Sequence, residues 1–178
     1  TASTNQFLKY DGTNWTPTDG SSIGYIFIGH GESNAYSNSP HGSGGFASTS
    51  DLYIYDTSPV NTISGATITS TNNWVSSITL PAGNYLVSGQ ILLKFSSSGY
   101  AVFSFHNSSN TRLSQSGVIG TNRITYHGAG DLAYSIIELS SQTTIKLKLE
   151  AIGGTIDTGS NQGNTPSEHG LIIIEKLS

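Results

Sequence analysis

The chain has 178 residues, which is enough for one well-packed domain with a short extension. Its net charge is −4 with only seven lysines and arginines, so it lacks the basic patch that neutralises several phosphates, and we expect no nucleic-acid partner. The apolar run at residues 171–174 is far shorter than the roughly 20 residues that span a bilayer, and there is no cysteine, so we expect neither membrane insertion nor disulfides.

Residues 1–20 are polar and carry turn signals, and we predict that they form a neck or stalk-connecting segment. Trp15 lies in this neck, where we expect it to pack between subunits. Residues 21–178 form the predicted head domain. From residue 21 onward, short alternating stretches are separated by glycine, asparagine and serine clusters about every ten residues, which predicts an all-β sandwich or barrel.

The clearest strands are residues 74–80 and 84–95, which we predict to pair across the turn at residues 81–83. Alternate positions of the second strand are apolar or small, which places them on the core face. These predicted core residues are Tyr85, Val87, Gly89, Ile91, Leu93 and Phe95.

Residues 144–151 also alternate, with Lys146 on the outer face, and this pattern predicts a half-buried strand. Its predicted partner is the stretch 132–139. Residues 171–174 are apolar on both faces, and an exposed strand of this kind promotes aggregation. We therefore expect either a central position in a sheet or a neighbouring subunit to cover this strand.

The order of these elements resembles the globular heads of the tumour necrosis factor and complement-head superfamily. The matching positions are Pro81, Gly83, Tyr85, Gly170 and residues 171–177. The resemblance covers residues 22–178 as a pattern of elements, and its individual motifs are short. It implies an antiparallel jelly-roll β-sandwich that is homotrimeric, whereas periodicity alone leaves a sandwich or a barrel open.

The segment LKYDGTNWTP in the neck is similar to the segments that join a fibre shaft or a collagen-like stalk to its head in phage and other viral fibre proteins. Together the two resemblances imply a trimeric knob at the tip of a fibre. The implied function is attachment to a host cell-surface receptor, with a glycan as one candidate ligand, at the virion surface or in an extracellular setting. A structural trimerisation cap and a soluble cytokine-like ligand are the alternatives.

We expect no enzymatic activity and no cofactor. Ser43 lies among glycines after His41, but a serine nucleophile needs a strand-to-helix turn and an oriented base, and no helix is predicted here. The five histidines are scattered without metal-ligand spacing. We therefore predict no metal site, although a three-fold axis would gather one side chain from each subunit.

Two long glycine-rich loops, residues 30–50 and 153–170, interrupt the strand pattern. Loops of this length are uncommon unless they bind a ligand or move. They combine a planar ring with amides and carboxylates, which suits the hydroxyls and apolar faces of a carbohydrate. The predicted ligand-binding residues are Asn34, Tyr36, His41, Asp157, Asn161 and Gln162.

Overall fold

The computed structural model describes residues 6–10, 12–19, 23–29, 51–95, 98–121, 126–154 and 168–177. These residues form antiparallel strands and no helix, so the described part of the chain has no helix that could cross a membrane. The strands are β1 (Gln6–Tyr10), β2 (Trp15–Asp19), β3 (Tyr25–Gly29), β4 (Asp51–Leu52), β5 (Ile54–Tyr55), β6 (Val60–Asn61), β7 (Thr67–Thr71), β8 (Trp74–Leu80), β9 (Gly83–Phe95), β10 (Gly99–Asn107), β11 (Gly117–Thr121), β12 (Tyr126–Leu139), β13 (Thr143–Gly153) and β14 (Glu168–Lys176). The prediction of an all-β fold with two antiparallel sheets that form a sandwich is confirmed.

The first main sheet has five strands in the order β12-β9-β14-β3-β6. Its central strand is β14, which hydrogen-bonds to β9 on one side and to β3 on the other. The terminal apolar strand therefore occupies one of the protected positions expected from its sequence. This position covers both of its edges but only one of its faces.

The second main sheet runs β11-β10-β13-β8-β5, with β4 also pairing with β13 and β7 with β8. Strands β1 and β2 form a separate two-stranded sheet within the predicted neck. The hairpin places Tyr10 opposite Trp15, with ring centroids 5.1 Å apart.

The inner faces of the two main sheets form one hydrophobic core. In β13 the alternating residues Ile145, Leu147 and Leu149 are buried, as their sequence pattern predicts. The buried aliphatic side chains of β3 and β14 belong to the same cluster. This arrangement removes an apolar face of each sheet from water, which is the main driving force for a sandwich of this kind.

Three predicted core residues of β9 are confirmed, because Tyr85, Val87 and Ile91 are buried. The hydroxyl of Tyr85 donates a hydrogen bond to the carbonyl oxygen of Pro81 at 2.8 Å. Gly89 is half-buried. Leu93 and Phe95 lie within β9, but their side chains are outside the described residues, so their burial stays a prediction.

Two predicted strand pairings are wrong. Strand β8 lies in the second sheet and β9 in the first, so the connection at residues 81–83 crosses between sheets. Strand β12 pairs with β9, whereas β13 pairs with β10, β8 and β4. Alternation along one strand shows which face is buried, but it carries no information about the neighbouring strand.

Lys146 joins β13 to β4, because its Nζ donates to Asp51 Oδ2 at 2.9 Å. This hydrogen bond raises the pKa of Lys146. Solvent screens the pair, since 36% of the Lys146 side chain is exposed. We therefore expect Lys146→Ala to lower the free energy of unfolding by less than about 1 kcal/mol. Urea unfolding of this variant, of Asp51→Ala and of the double variant would measure the coupling free energy between Lys146 and Asp51. A decrease of more than about 2 kcal/mol in the free energy of unfolding of either single variant would contradict this weak coupling.

Candidate functional site

The six predicted ligand-binding residues lie outside the described part of the chain. They are Asn34, Tyr36, His41, Asp157, Asn161 and Gln162. The structure therefore neither brings them together nor separates them, and their role stays a prediction. Among the described residues, two other features stand out: an exposed apolar sheet face and a partly buried polar cluster.

The outward face of the five-stranded sheet carries apolar side chains on all five strands. Its most exposed members are Tyr134 and Ile136 of β12, with 78% and 61% of their surface exposed. Ile173 of β14 pairs with Phe27 of β3, which in turn pairs with Val60 of β6. We call this surface the outer apolar face, and we define it by Tyr25, Phe27, Val60, Leu86, Tyr134, Ile136, Leu171 and Ile173.

The outer apolar face arises because β3, β12 and β14 carry apolar residues at successive positions. In β3, Ile26 and Ile28 enter the core, so the alternate residues Tyr25 and Phe27 must point outward. The ring of Phe27 lies against Gly29, where an added Cβ would come 3.0 Å from the ring. This glycine lets the ring lie down along the sheet surface.

Charged side chains lie at one end of the outer apolar face. Glu175 is in register with Leu86 on one side and with Tyr25 on the other, and Glu138 lies on β12 two residues beyond Ile136, the member of the same row. The next row of the sheet contains Ser88, Ile173, Phe27 and Val60 and has no charge. A charge-depleted apolar centre with a polar margin is typical of the core of a protein interface.

The outward face of the second sheet is mostly polar. Thr79 and Thr144 are hydrogen-bonded across neighbouring strands at 2.8 Å, and Lys146 follows on the same face of β13. Tyr100 is half-exposed, but its ring covers Gly153, where an added Cβ would lie 2.4 Å from a ring carbon. Among the described residues, the second sheet therefore presents fewer exposed apolar side chains outward than the first, namely Tyr100 and Val118.

A polar cluster also lies on the second sheet, centred on Glu150. The register between β10 and β13 shifts at this point, so that Glu150 is the extra residue of a β-bulge. Its Oε1 accepts a hydrogen bond from Ser104 at 2.7 Å and lies 3.2 Å from His106 Nε2. Its Oε2 accepts a hydrogen bond from Ser116 at 2.6 Å.

The cluster keeps Glu150 ionised. Burial raises the pKa of Glu150, but hydrogen bonds from Ser116, Ser104 and His106, together with the charge of Arg112, outweigh it and hold the pKa below its ordinary value. The Nη1 atom of Arg112 lies 3.7 Å from Oε1.

The contact of Ser104 with His106 does not make a catalytic site. Ser104 is completely buried, so a substrate cannot reach its hydroxyl. A Ser-His-acid triad also places the carboxylate on the ring nitrogen away from the serine. Here Glu150 and Ser104 contact the same nitrogen, Nε2.

Comparison with models of known protein families gives no match, and comparison with curated proteins also gives none. Function must therefore be argued from the sequence pattern and from the geometry of the chain itself.

Sequence reasoning missed both structural features. The sequence carries a signal for the outer apolar face, because residues 25–28 and 171–174 are each apolar at successive positions, but the prediction uses only the second run. The polar cluster had no comparable signal. His106 and Glu150 are 44 positions apart, and a β-bulge that re-aims a carboxylate leaves no recognisable motif.

Proposed function

We propose that the chain is the head domain of a homotrimeric viral or phage fibre that attaches to a host cell-surface receptor, with a glycan as a candidate ligand. The outer apolar face is the observation that carries this proposal. Monomeric soluble proteins rarely expose contiguous apolar patches of substantial size, and larger ones mark interaction surfaces.

A second copy of the chain is the proposed occupant of the outer apolar face. Backbone pairing already protects both edges of β14, so the exposed part is a set of side chains and not an unpaired edge. In a closed three-fold assembly the contact is heterologous and is repeated in each subunit, so the outer apolar face of one copy packs against a different surface of the next copy. Three-fold symmetry follows from the resemblance to the tumour necrosis factor and complement-head superfamily.

The connections between the sheets support a jelly roll within this sandwich. From β8 to β9 and from β9 to β10 the chain crosses between sheets, and it crosses again from β12 to β13 and from β13 to β14. Repeated crossing between two antiparallel sheets is the pattern of a jelly roll. This assignment agrees with the fold that the resemblance implies.

Attachment is the proposed role of the assembled head, at the virion surface or in an extracellular setting. Three copies of a shallow site on one rigid head bind a cell surface much more tightly than one copy does, because the second and third contacts are intramolecular. The proposed ligand site is the pair of segments at residues 30–50 and 154–167, because the predicted second loop is shorter than expected: strand β13 includes Gly153 and strand β14 begins at Glu168. The proposal includes no enzymatic activity and no cofactor.

A structural cap that trimerises a fibre is the second candidate. Among the described residues, a cavity lined by core residues such as Ile28, Ile54 and Phe105 is about 10 Å³. A cavity of this size admits about one water molecule and no small ligand. The outer apolar face is sufficient for a cap, whereas attachment also requires a ligand site elsewhere on the head.

Light scattering and binding assays test these two candidates in sequence. At micromolar concentration we expect a mass three times the chain mass of 18.7 kDa, and a stable monomer would contradict the proposal. The intact trimer should then bind host cells or an immobilised glycan. Tyr36→Ala and Asp157→Ala should weaken this binding without changing the mass or the melting temperature. A trimer that binds neither cells nor glycans would favour the cap.

A further inference from the structure

The strand ends that border the two proposed ligand segments, residues 30–50 and 154–167, are neighbours in the first sheet. Strand β14 begins at Glu168, beside the last residues of β9. Gly29 is the last residue of β3, and it pairs with Leu171 near the start of β14. Because β3 and β14 are antiparallel, the end of one strand and the start of the other lie at the same end of this sheet.

The second sheet has a corresponding end. Gly153, the last residue of β13, pairs with Tyr100, and β11 ends beside Gly99. Residues 96–98 join β9 to β10, and residues 122–125 join β11 to β12. Such short connections cannot span the length of β9, which has 13 residues. These ends of the two sheets therefore form one end of the sandwich. We call it the distal end and define it by the strand ends Gly29, Phe95, Gly99, Thr121, Tyr126, Gly153 and Glu168.

The neck joins the sandwich at the opposite end. Strand β3 follows the neck hairpin in the chain and begins at Tyr25, which pairs with Glu175 near the end of β14. The carbonyl oxygen of Gly24 accepts a hydrogen bond from the amide of Lys176 at 2.8 Å. The distal end therefore lies away from the point at which the neck enters the head.

Tyr100 presents an exposed ring at the distal end. Its neighbours along β10, Ala101 and then Phe103, are completely buried, so alternation directs Tyr100 outward, and 49% of it is exposed. The ring lies along the backbone of Gly153, where an added Cβ would be 2.8 Å from the ring carbon Cδ1. Strand β13 therefore supports the ring from one side, while about half of the residue stays open to solvent.

Both cross-strand neighbours of Tyr100 are glycines, Gly153 in β13 and Gly120 in β11. The ring of Tyr100 occupies the space that a side chain at Gly153 would need. An added Cβ at Gly99 would collide with the carbonyl oxygen of Gly153. Gly120 leaves the other side of Tyr100 without a neighbouring side chain. Glycines within strands often mark a place where a ligand approaches the backbone closely, and here they leave a shallow open surface beside the ring.

The surface around Tyr100 is small and uncharged. Val118 is 60% exposed and lies diagonally across from Tyr100, because it pairs with Val102. The residues in register with Tyr100 and Val102 carry no charge; they are Gly120, Val118, Ala151 and Gly153. Two exposed apolar side chains fall far short of the roughly 800 Å² that each partner buries in a stable protein interface. The size of this surface suits a single uncharged ring.

We propose that Tyr100 is a platform on which the ring of a neutral pyranose stacks, with the sugar extending over Gly120. The face of the tyrosine ring packs against the C–H groups of the sugar, and its hydroxyl supplies a polar contact at the edge. Ser98 is exposed next to Gly99 and adds a second hydroxyl. This inference rests on the proposed function for its class of ligand, and it adds a site on a described strand outside the two proposed ligand segments.

Nuclear magnetic resonance titration of the intact protein tests this platform. The probes are the methyl pyranosides of glucose, galactose, mannose and N-acetylglucosamine. We expect at least one of them to shift the ring signals of Tyr100, with saturation transfer strongest at the C–H protons on one face of the sugar. Tyr100→Ala should weaken this binding about tenfold, the scale of one aromatic contact, whereas Tyr100→Phe keeps the ring and should stay within about twofold of the wild type.

Two further variants show whether the position of the ring matters. Gly120→Val keeps Tyr100 but fills the open side of the ring, so it should also weaken binding. Tyr10→Ala is the matched control, because Tyr10 is 51% exposed and lies in the neck. We expect this variant to bind like the wild type. Circular dichroism would check that the strands persist, and if Gly120→Val does not fold, the variants of Tyr100 and Tyr10 decide.

Three results would overturn the platform: no binding of any of the four pyranosides to the wild type, unchanged binding in Tyr100→Ala, or an equal loss in Tyr10→Ala. A folded Gly120→Val variant that binds as tightly as the wild type would overturn the proposed position of the sugar. Stacking on Tyr100 in a head that does not attach to cells would support the platform and contradict the proposed attachment. Attachment to cells that persists in Tyr100→Ala, without pyranoside binding, would do the reverse.

Discussion

Ile136→Arg is expected to convert the proposed homotrimer into folded monomers. Ile136 is 61% exposed in the single chain, so arginine at this position should change the stability of the monomer by only about 0.5 kcal/mol. In the assembled head the same position would be buried in the outer apolar face. An unpaired charge buried in an interface costs several kcal/mol, and the symmetry repeats this cost in each subunit. Sedimentation velocity at micromolar concentration would show the change in mass, and circular dichroism would show that the strands persist.

Val118→Arg is the matched control for this experiment. Val118 is also β-branched and 60% exposed, but it lies in β11 at the edge of the other main sheet. We expect this variant to keep the mass of the wild-type protein. Dissociation by Val118→Arg but not by Ile136→Arg would move the interface to the second sheet. If neither variant dissociates, the outer apolar face is not the interface, and the proposed function loses its main support.

Tyr85→Ala is expected to lower the free energy of unfolding by about 3–5 kcal/mol, the range found for removal of a buried aromatic ring. Tyr85 is fully buried between the sheets, and its hydroxyl bonds to Pro81 at the crossing from β8 to β9. Burial raises the pKa of Tyr85, so the phenol stays neutral and remains a donor. The loss should therefore combine a cavity in the core with a weakened connection between the sheets. Urea unfolding is best measured in the Ile136→Arg background, because subunit association otherwise contributes to the apparent stability.

Tyr85→Phe separates these two contributions. This variant keeps the ring and removes only the hydrogen bond to Pro81, so we expect a loss of about 1 kcal/mol. If Tyr85→Phe lowers the free energy of unfolding as much as Tyr85→Ala does, the hydrogen bond at the connection, and not the packing of the ring in the core, dominates the stability at this position. If both variants are neutral, the assignment of Tyr85 to the core is wrong.

The buried faces of the strands were predictable from the sequence because side chains alternate along a strand with a period of two. The pattern around Tyr85, Val87 and Ile91 placed these residues in the core, and the pattern from Ile145 to Leu149 did the same for β13. The partners of these strands were not predictable in this way. Short connections suggested hairpins at residues 81–83 and 140–143, whereas the chain crosses between sheets at both places.

The sequence by itself determined that this protein is an all-β chain of the sandwich or barrel type, because composition and alternation are local properties that each strand carries alone. Only the tertiary structure decided that Tyr25, Ile136 and Ile173 share one surface, since they come from strands far apart in the chain. The tertiary structure also decided that Glu150, the extra residue of the β-bulge in β13, lies 3.2 Å from His106. Both outcomes depend on strand order and register, which are selected by the packing of the whole core and not by any single segment.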